Sequence, residues 1–225
     1  RERVAALTPE QVRRQLAATP GRFSLERLLA FVSPAAAEYL EPMAQQARGL
    51  TIQRFGRTIQ LYAPLYVSNW CCNSCRYCGF NRTHEFPRRR LTIEEAVADS
   101  AVIAEEGFRH ILLVSGEDPR GASVEYFAEL ASRLQSQFSS IDVEIYPLSQ
   151  EDYTRPFAAG IDGVTLYQET YDRATYADWH VAGPKRDYDY RLETPDRFAA
   201  AGMRRLGLGF LLGLADWRIE TLALA

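Results

Sequence analysis

From residue 60 onward the sequence alternates short apolar runs of β type with amphipathic stretches of helical period, and this alternation restricts the fold more than any other feature. Residues 61–68, 110–115, 143–147, 164–168 and 206–212 read as strands. Thr92-Ile93-Glu94-Glu95 forms a capping box, with Thr92 and Glu95 taking up free backbone amides at the start of a helix that runs to about Glu106 and Gly107. A second helix covers roughly residues 124–138, and a third starts near Ser149 and ends at Gly160. Thr194 caps a fourth, with Pro195 in its first turn and Gly202 at its end. A barrel of parallel strands and a doubly wound sheet both fit this grammar. In either, function belongs just after the C-terminal end of each strand.

Residues 1–50 are rich in Ala, Arg and Leu, with Thr8-Pro9-Glu10 and Ser24-Leu25-Glu26-Arg27 as helix starts and Pro20-Gly21 as punctuation, so they read as several short helices. The 225 residues, 47% of them hydrophobic, suffice for the core of one ordinary domain. A formal charge of −3 argues against a surface built to neutralise nucleic-acid phosphates. The longest apolar runs fall short of the ~20 residues a bilayer span requires, so no membrane segment is expected and the chain reads as soluble and cytoplasmic. The chain starts at Arg1 and stops at Ala225, inside a helix that Asp216 caps and no Gly, Pro or Asn ends, so it reads as cut at both ends.

All four cysteines fall within Cys71-Cys72-Asn73-Ser74-Cys75-Arg76-Tyr77-Cys78, directly after the first strand. In a cytosolic chain such clustering favours metal or redox chemistry over disulfides, and thiolates select zinc or iron–sulfur clusters. Cys71, Cys75 and Cys78 give C-x3-C-x2-C, whereas Cys72, Cys75 and Cys78 give C-x2-C-x2-C. Three thiolates on one loop can hold three irons of a [4Fe–4S] cube and leave the fourth open, while structural zinc wants four closed ligands. A zinc site would have to recruit His84 beside Cys72, Cys75 and Cys78. Cys72 reads as a small buried residue.

The C-x3-C-x2-C motif with Tyr77 before the last cysteine resembles the radical S-adenosylmethionine (SAM) superfamily. Within it, Pro64-Leu65-Tyr66-Val67-Ser68-Asn69, Cys75-Arg76-Tyr77-Cys78-Gly79-Phe80, Tyr167-Gln168-Glu169-Thr170-Tyr171 and Arg191-Leu192-Glu193-Thr194-Pro195-Asp196-Arg197 resemble the 2-iminoacetate synthase family, the tyrosine lyases of thiamine biosynthesis. The likeness implies an α/β fold, a partial TIM-type (β/α)6 barrel, over residues 61–225. It implies a helical extension over residues 1–60 and a cut after about five strands that leaves the chain inactive alone. Cys71, Cys75 and Cys78 then hold a [4Fe–4S] cluster with an open iron that binds SAM.

Other strand ends acquire roles by the same resemblance. Ser115-Gly116-Glu117-Asp118-Pro119 is similar to the family's Gly-Gly-Glu-Pro loop, with Ser115 in place of the first glycine. Gly116 and Glu117 receive the SAM ammonium, a task to which a carboxylate at a glycine-opened turn is suited. Glu169 takes the ribose and Arg191 the SAM carboxylate, which a planar guanidinium grips well. Gly207, Gly209 and Gly213 resemble a glycine-bearing fifth strand packed on adenine, and they lack Rossmann spacing. Arg88-Arg89-Arg90 reads as a solvated basic run, His110 and His180 as structural, and residues 167–190 chiefly as packing and loop anchoring.

The chemistry implied is one-electron cleavage of SAM to a 5′-deoxyadenosyl radical, hydrogen abstraction from L-tyrosine, and Cα–Cβ cleavage to p-cresol and 2-iminoacetate. A reductant such as flavodoxin or ferredoxin and a thiazole synthase are the implied partners. Alternatives are the tyrosine lyase of [FeFe]-hydrogenase maturation, which Val181-Ala182-Gly183-Pro184-Lys185-Arg186-Asp187-Tyr188 resembles, and the tryptophan lyase of the same superfamily. A structural metal-binding module is the alternative outside enzymes. The residues that grip the substrate are not legible.

Overall fold

Five strands hydrogen-bond in the order β1-β2-β3-β4-β5, every neighbour parallel, in a computed structural model that describes residues 1–225. They are β1 Ala63–Ser68, β2 His110–Ser115, β3 Ser140–Glu144, β4 Gly163–Thr165 and β5 Arg205–Gly207. A doubly wound sheet reverses its strand order at a switch point, and this one never does. The order is that of a partial TIM-type barrel, an open sheet of five parallel strands.

The crossovers are helical as parallel pairing requires. Helix α5 (Ile93–Glu105) joins β1 to β2, α6 (Val124–Leu134) joins β2 to β3, and α7 (Gln150–Ala158) joins β3 to β4. The Thr92 capping box is present, with Thr92 N donating to Glu95 Oε2 at 2.8 Å and Glu95 N to Thr92 Oγ1 at 3.1 Å. Ser123 and Ser149 cap α6 and α7 through their hydroxyls. Between β4 and β5 lie α8 (Arg173–Trp179), a 3-10 turn over Pro184–Arg186, α9 (Tyr188–Leu192) and α10 (Thr194–Ala200). Thr194 is inside α10 rather than its cap. Glu193 occupies the cap with no side-chain bond, while the Thr194 hydroxyl donates to Tyr190 O and accepts from Arg197.

Strand ends differ from expectation where the expected residues continue beyond the ladder. β3 begins at Ser140, three residues before the expected start, because Ser140 pairs with His110 in register. β4 and β5 are three residues each, and after Gly207 the chain keeps only an isolated bridge from Phe210 to Glu169. Gly209 is needed there, since a Cβ would sit 2.7 Å from Tyr167 Cδ1. Strand β2 is buried on both faces, Leu112 and Val114 as well as Ile111 and Leu113. In β3 burial alternates instead, with Ile141 and Val143 in the core beside Phe127, Leu130 and Leu134, and Asp142 and Glu144 half-buried on the opposite face.

The chain divides into two compact units, residues 60–211, which contain the sheet, and residues 1–59 with 212–225. The second is helical: α1 Glu2–Ala5, α2 Pro9–Ala17, α3 Leu25–Val32, a 3-10 stretch over Pro34–Tyr39, α4 Leu40–Phe55 and α11 Trp217–Leu224. Val4, Leu29 and Val32 pack with Ile219 and Leu222. Thr8, Ser24 and Asp216 cap α2, α3 and α11 as the sequence predicts. No helix is long and apolar enough to cross a membrane.

Candidate active site

A cleft of about 360 Å³ opens where β1 to β4 end. Cys71, Cys75 and Cys78 border it and Cys72 does not. This selects C-x3-C-x2-C as the spacing that faces a common space. Cys75 is buried, and desolvation pushes its thiol up to about 11, as it does that of Cys72. Coordination to a cationic centre offsets such a cost by removing the proton outright. The backbone N–H of Asn73 approaches Cys71 Sγ at 3.5 Å and its Nδ2 at 3.7 Å, donors that suit a thiolate sulfur. No three His, Cys, Asp or Glu side chains converge as a single-ion centre requires. Three cysteine thiols bordering one cleft are the chemical type of donor that a [4Fe–4S] cluster takes, each on a separate iron. His84 is exposed, with Nδ1 3.3 Å from Gly79 O, and does not border the cleft.

The loop after β2 closes directly on the cysteine loop. Cys72 N donates to Glu117 O at 2.9 Å, and Gly116 N to Ser68 O at 3.1 Å. A Cβ on Gly116 would strike the Trp70 carbonyl and lie 3.0 Å from Cys71 Cβ, so only glycine permits this approach. Glu117 borders the cleft and accepts from Asn73 Nδ2 at 2.7 Å, while Asn73 Oδ1 accepts from Lys185 N at 2.9 Å. Asn73, 2% exposed, thus ties three loops together.

Glu169 and Arg191 reach the same cleft from the β4 side. Glu169 holds φ +73°, unusual for a side chain with a Cβ, and its carboxylate accepts from Lys185 Nζ at 2.7 Å. Burial and the Arg191 charge lower the Lys185 ammonium from its ordinary value, against the pull of Glu169. The buried Arg191 donates through Nε to Tyr167 O at 2.8 Å. Tyr77 also borders the cleft, its OH 2.8 Å from His180 Nε2. His180 Nδ1 lies 2.7 Å from Tyr176 O and must donate there, so Nε2 accepts from Tyr77. Burial holds His180 down at about 4 and raises Tyr77, which keeps both neutral.

All eight residues singled out from the sequence, Cys71, Cys75, Cys78, Tyr77, Gly116, Glu117, Glu169 and Arg191, therefore border one cleft. The basic run differs from the solvated stretch expected. Arg90 makes a bidentate pair with the buried Asp118 at 2.7 and 2.8 Å, and Arg88 donates to the carbonyls of Asn69, Phe80, Asn81 and His84. Arg88 thus staples the cysteine loop and Arg90 the loop after β2. His110 is outside the cleft, its Nδ1 2.7 Å from Gln60 Nε2. Sequence reasoning missed Asn73, Lys185 and Glu144. Asn73 was detectable as the amide inside the cysteine loop.

The chain is 45% identical over its whole length to a 2-iminoacetate synthase of Salmonella typhimurium and 44% identical to that of Escherichia coli, and it spans 59% of each. Among solved structures, HydG, a maturase of the [FeFe]-hydrogenase, superposes with a TM-score of 0.90 at 32% identity, over 99% of this chain and 51% of that one. Methylornithine synthase (PylB) shares the fold at a TM-score of 0.76 and 24% identity, over 95% of this chain and 62% of its own. The profile of the radical SAM superfamily matches residues 65–224, a span that contains the cysteine loop and every side chain bordering the cleft. This chain therefore belongs to the radical SAM superfamily, whose members work with a [4Fe–4S] cluster and SAM.

Proposed function

We propose that the protein of which this chain is part is a cytoplasmic 2-iminoacetate synthase, which cleaves the Cα–Cβ bond of L-tyrosine to 2-iminoacetate and p-cresol. The product supplies a thiazole synthase for the thiazole part of thiamine, and a flavodoxin or ferredoxin supplies electrons. The observation that carries this reading is the single cleft that gathers Cys71, Cys75 and Cys78, without Cys72, beside Glu117, Glu169 and Arg191. The 45% identity to curated 2-iminoacetate synthases, against 32% to the maturase, favours this substrate and product.

Cys71, Cys75 and Cys78 would hold the cluster. Together the cluster and SAM supply a hydrogen-abstracting radical at the adenosyl carbon. Glu117, already oriented by Asn73, accepts from the methionyl ammonium, and Arg191 presents its guanidinium to the methionyl carboxylate. Glu169, held by Lys185, accepts from the ribose hydroxyls. Tyr77 and Tyr66, with Phe80, give the cleft mouth an aromatic wall that excludes water from the reacting carbon.

Full-length protein, reconstituted with iron and sulfide without oxygen, should release p-cresol from tyrosine when given SAM and reductant. Consumption of tryptophan in place of tyrosine would overturn the substrate assignment. Carbon monoxide or cyanide among the products would favour the maturase reading, which the TM-score of 0.90 with HydG supports. Colourless protein that holds one zinc and ignores SAM would identify a structural module.

A further inference from the structure

Nearly every charged side chain around the cleft and the adjoining cavity of about 300 Å³ has a partner. Lys185 holds Glu169, Arg191 donates to Tyr167 O, Glu117 accepts from Asn73, Arg205 pairs with Asp142, and His110 bonds Gln60. Glu144 is the exception, with neither hydrogen bond nor ion pair.

Its placement is set by the strand period. Ile141, Val143 and Ile145 enter the core, so Glu144 points to the opposite face, where it forms part of the wall of both cavities. In register it lies between Val114 of β2 and Thr165 of β4. Glu144 lines both cavities and marks the passage from the cleft into the second. Thr165 and Tyr167 share that passage and bring a hydroxyl and a phenol.

We propose that Glu144 binds the α-ammonium of the amino-acid substrate at the junction of the two cavities and so determines specificity for an amino acid over its desamino analogue. An ammonium brings three donors, which the carboxylate and the Thr165 hydroxyl accept. Burial and the neighbouring Glu169 raise the Glu144 carboxyl above its ordinary value, against the pull of Lys185 and Arg191, so a cation bound in direct contact stabilises the ionised carboxylate. The inference rests on the 2-iminoacetate synthase reading, which supplies the class of substrate.

The test uses full-length reconstituted enzyme with SAM and compares binding of L-tyrosine with that of 3-(4-hydroxyphenyl)propanoate, which lacks only the amine. Glu144→Gln should weaken tyrosine about tenfold or more and leave the desamino analogue unchanged. Iron content and the cluster's spectral response to SAM should match wild type. Glu144→Ala should give the same split. Equal loss for both ligands, or loss for neither, would overturn the proposal and leave the function reading intact. Wild-type enzyme that binds no tyrosine would overturn that reading and the proposal with it.

Discussion

Lys185 Nζ lies 2.7 Å from Glu169 Oε1, and each side chain is only 13% exposed. The pair joins the loop after α8 to the end of β4 and fixes the carboxylate that the SAM ribose would meet. Removing one partner of a buried ion pair leaves the other charge uncompensated, at a cost of about 3 kcal/mol. Lys185→Met should therefore lower unfolding stability by about that amount in a denaturant titration. It should also raise the SAM concentration needed for half-maximal binding, while iron content stays at the wild-type level.

The four cysteines give a sharper contrast. Cys75 is 4% exposed and borders the cleft with Cys71 and Cys78, whereas Cys72 does not border it and its backbone N–H is tied to Glu117 O. Cys75→Ala should abolish cluster incorporation after anaerobic reconstitution. Cys72→Ala should retain about four irons per chain, read by iron assay and visible absorbance. Loss of iron in both variants would refute the assignment of Cys71 over Cys72.

Much of this was legible because local chemistry and tertiary structure agree. The Thr92 capping box and strand β2 stand at the expected residues, and so does the caps' pairing of hydroxyls with backbone N–H groups. The cysteine motif was legible directly after the first strand, where a parallel sheet concentrates function, whereas the roles of Gly116, Glu117, Glu169 and Arg191 came from the family resemblance. Glu144 was illegible for a physical reason. Its strand starts at Ser140, where Ser, Asp and Glu interrupt the apolar run, and only pairing with β2 shows that alternate residues face the cavities. Lys185 was hidden because contact between residues 16 apart depends on how the loop after α8 folds back. The Arg88 to Arg90 run looked solvated because its partners, Asp118 and the cysteine-loop carbonyls, are brought to it only by the fold.

Gly116 tests the contact between the two loops. Because a Cβ there meets the Trp70 backbone rather than a movable side chain, Gly116→Ala must shift one of the loops. Overpacking of this kind costs about 1–3 kcal/mol. The displaced atoms belong to the residue before Cys71 and to Cys71 itself, so SAM affinity should fall more than iron content. Calorimetry of SAM binding, beside the iron assay, reads both.

Asn73 allows a prediction whose sign depends on pH. Its Nδ2 donates to Glu117 Oε2 at 2.7 Å and its Oδ1 accepts from Lys185 N at 2.9 Å, at 2% exposure. Asn73→Ala leaves the Lys185 N–H without its acceptor and Glu117 without a donor, at a cost of about 2 kcal/mol. Asn73→Asp keeps the acceptor for Lys185 but sets a second carboxylate against Glu117. Two carboxylates at that separation share a proton, so one of them takes a folded-state pKa above the unfolded value near ~4. The folded variant then binds more protons than the unfolded chain, and its stability falls as pH rises through the raised pKa. Urea titrations of apo protein from mildly acidic to neutral pH should show Asn73→Asp losing stability relative to Asn73→Ala with rising pH. A constant difference between the two variants would show that Glu117 does not face the amide nitrogen of Asn73.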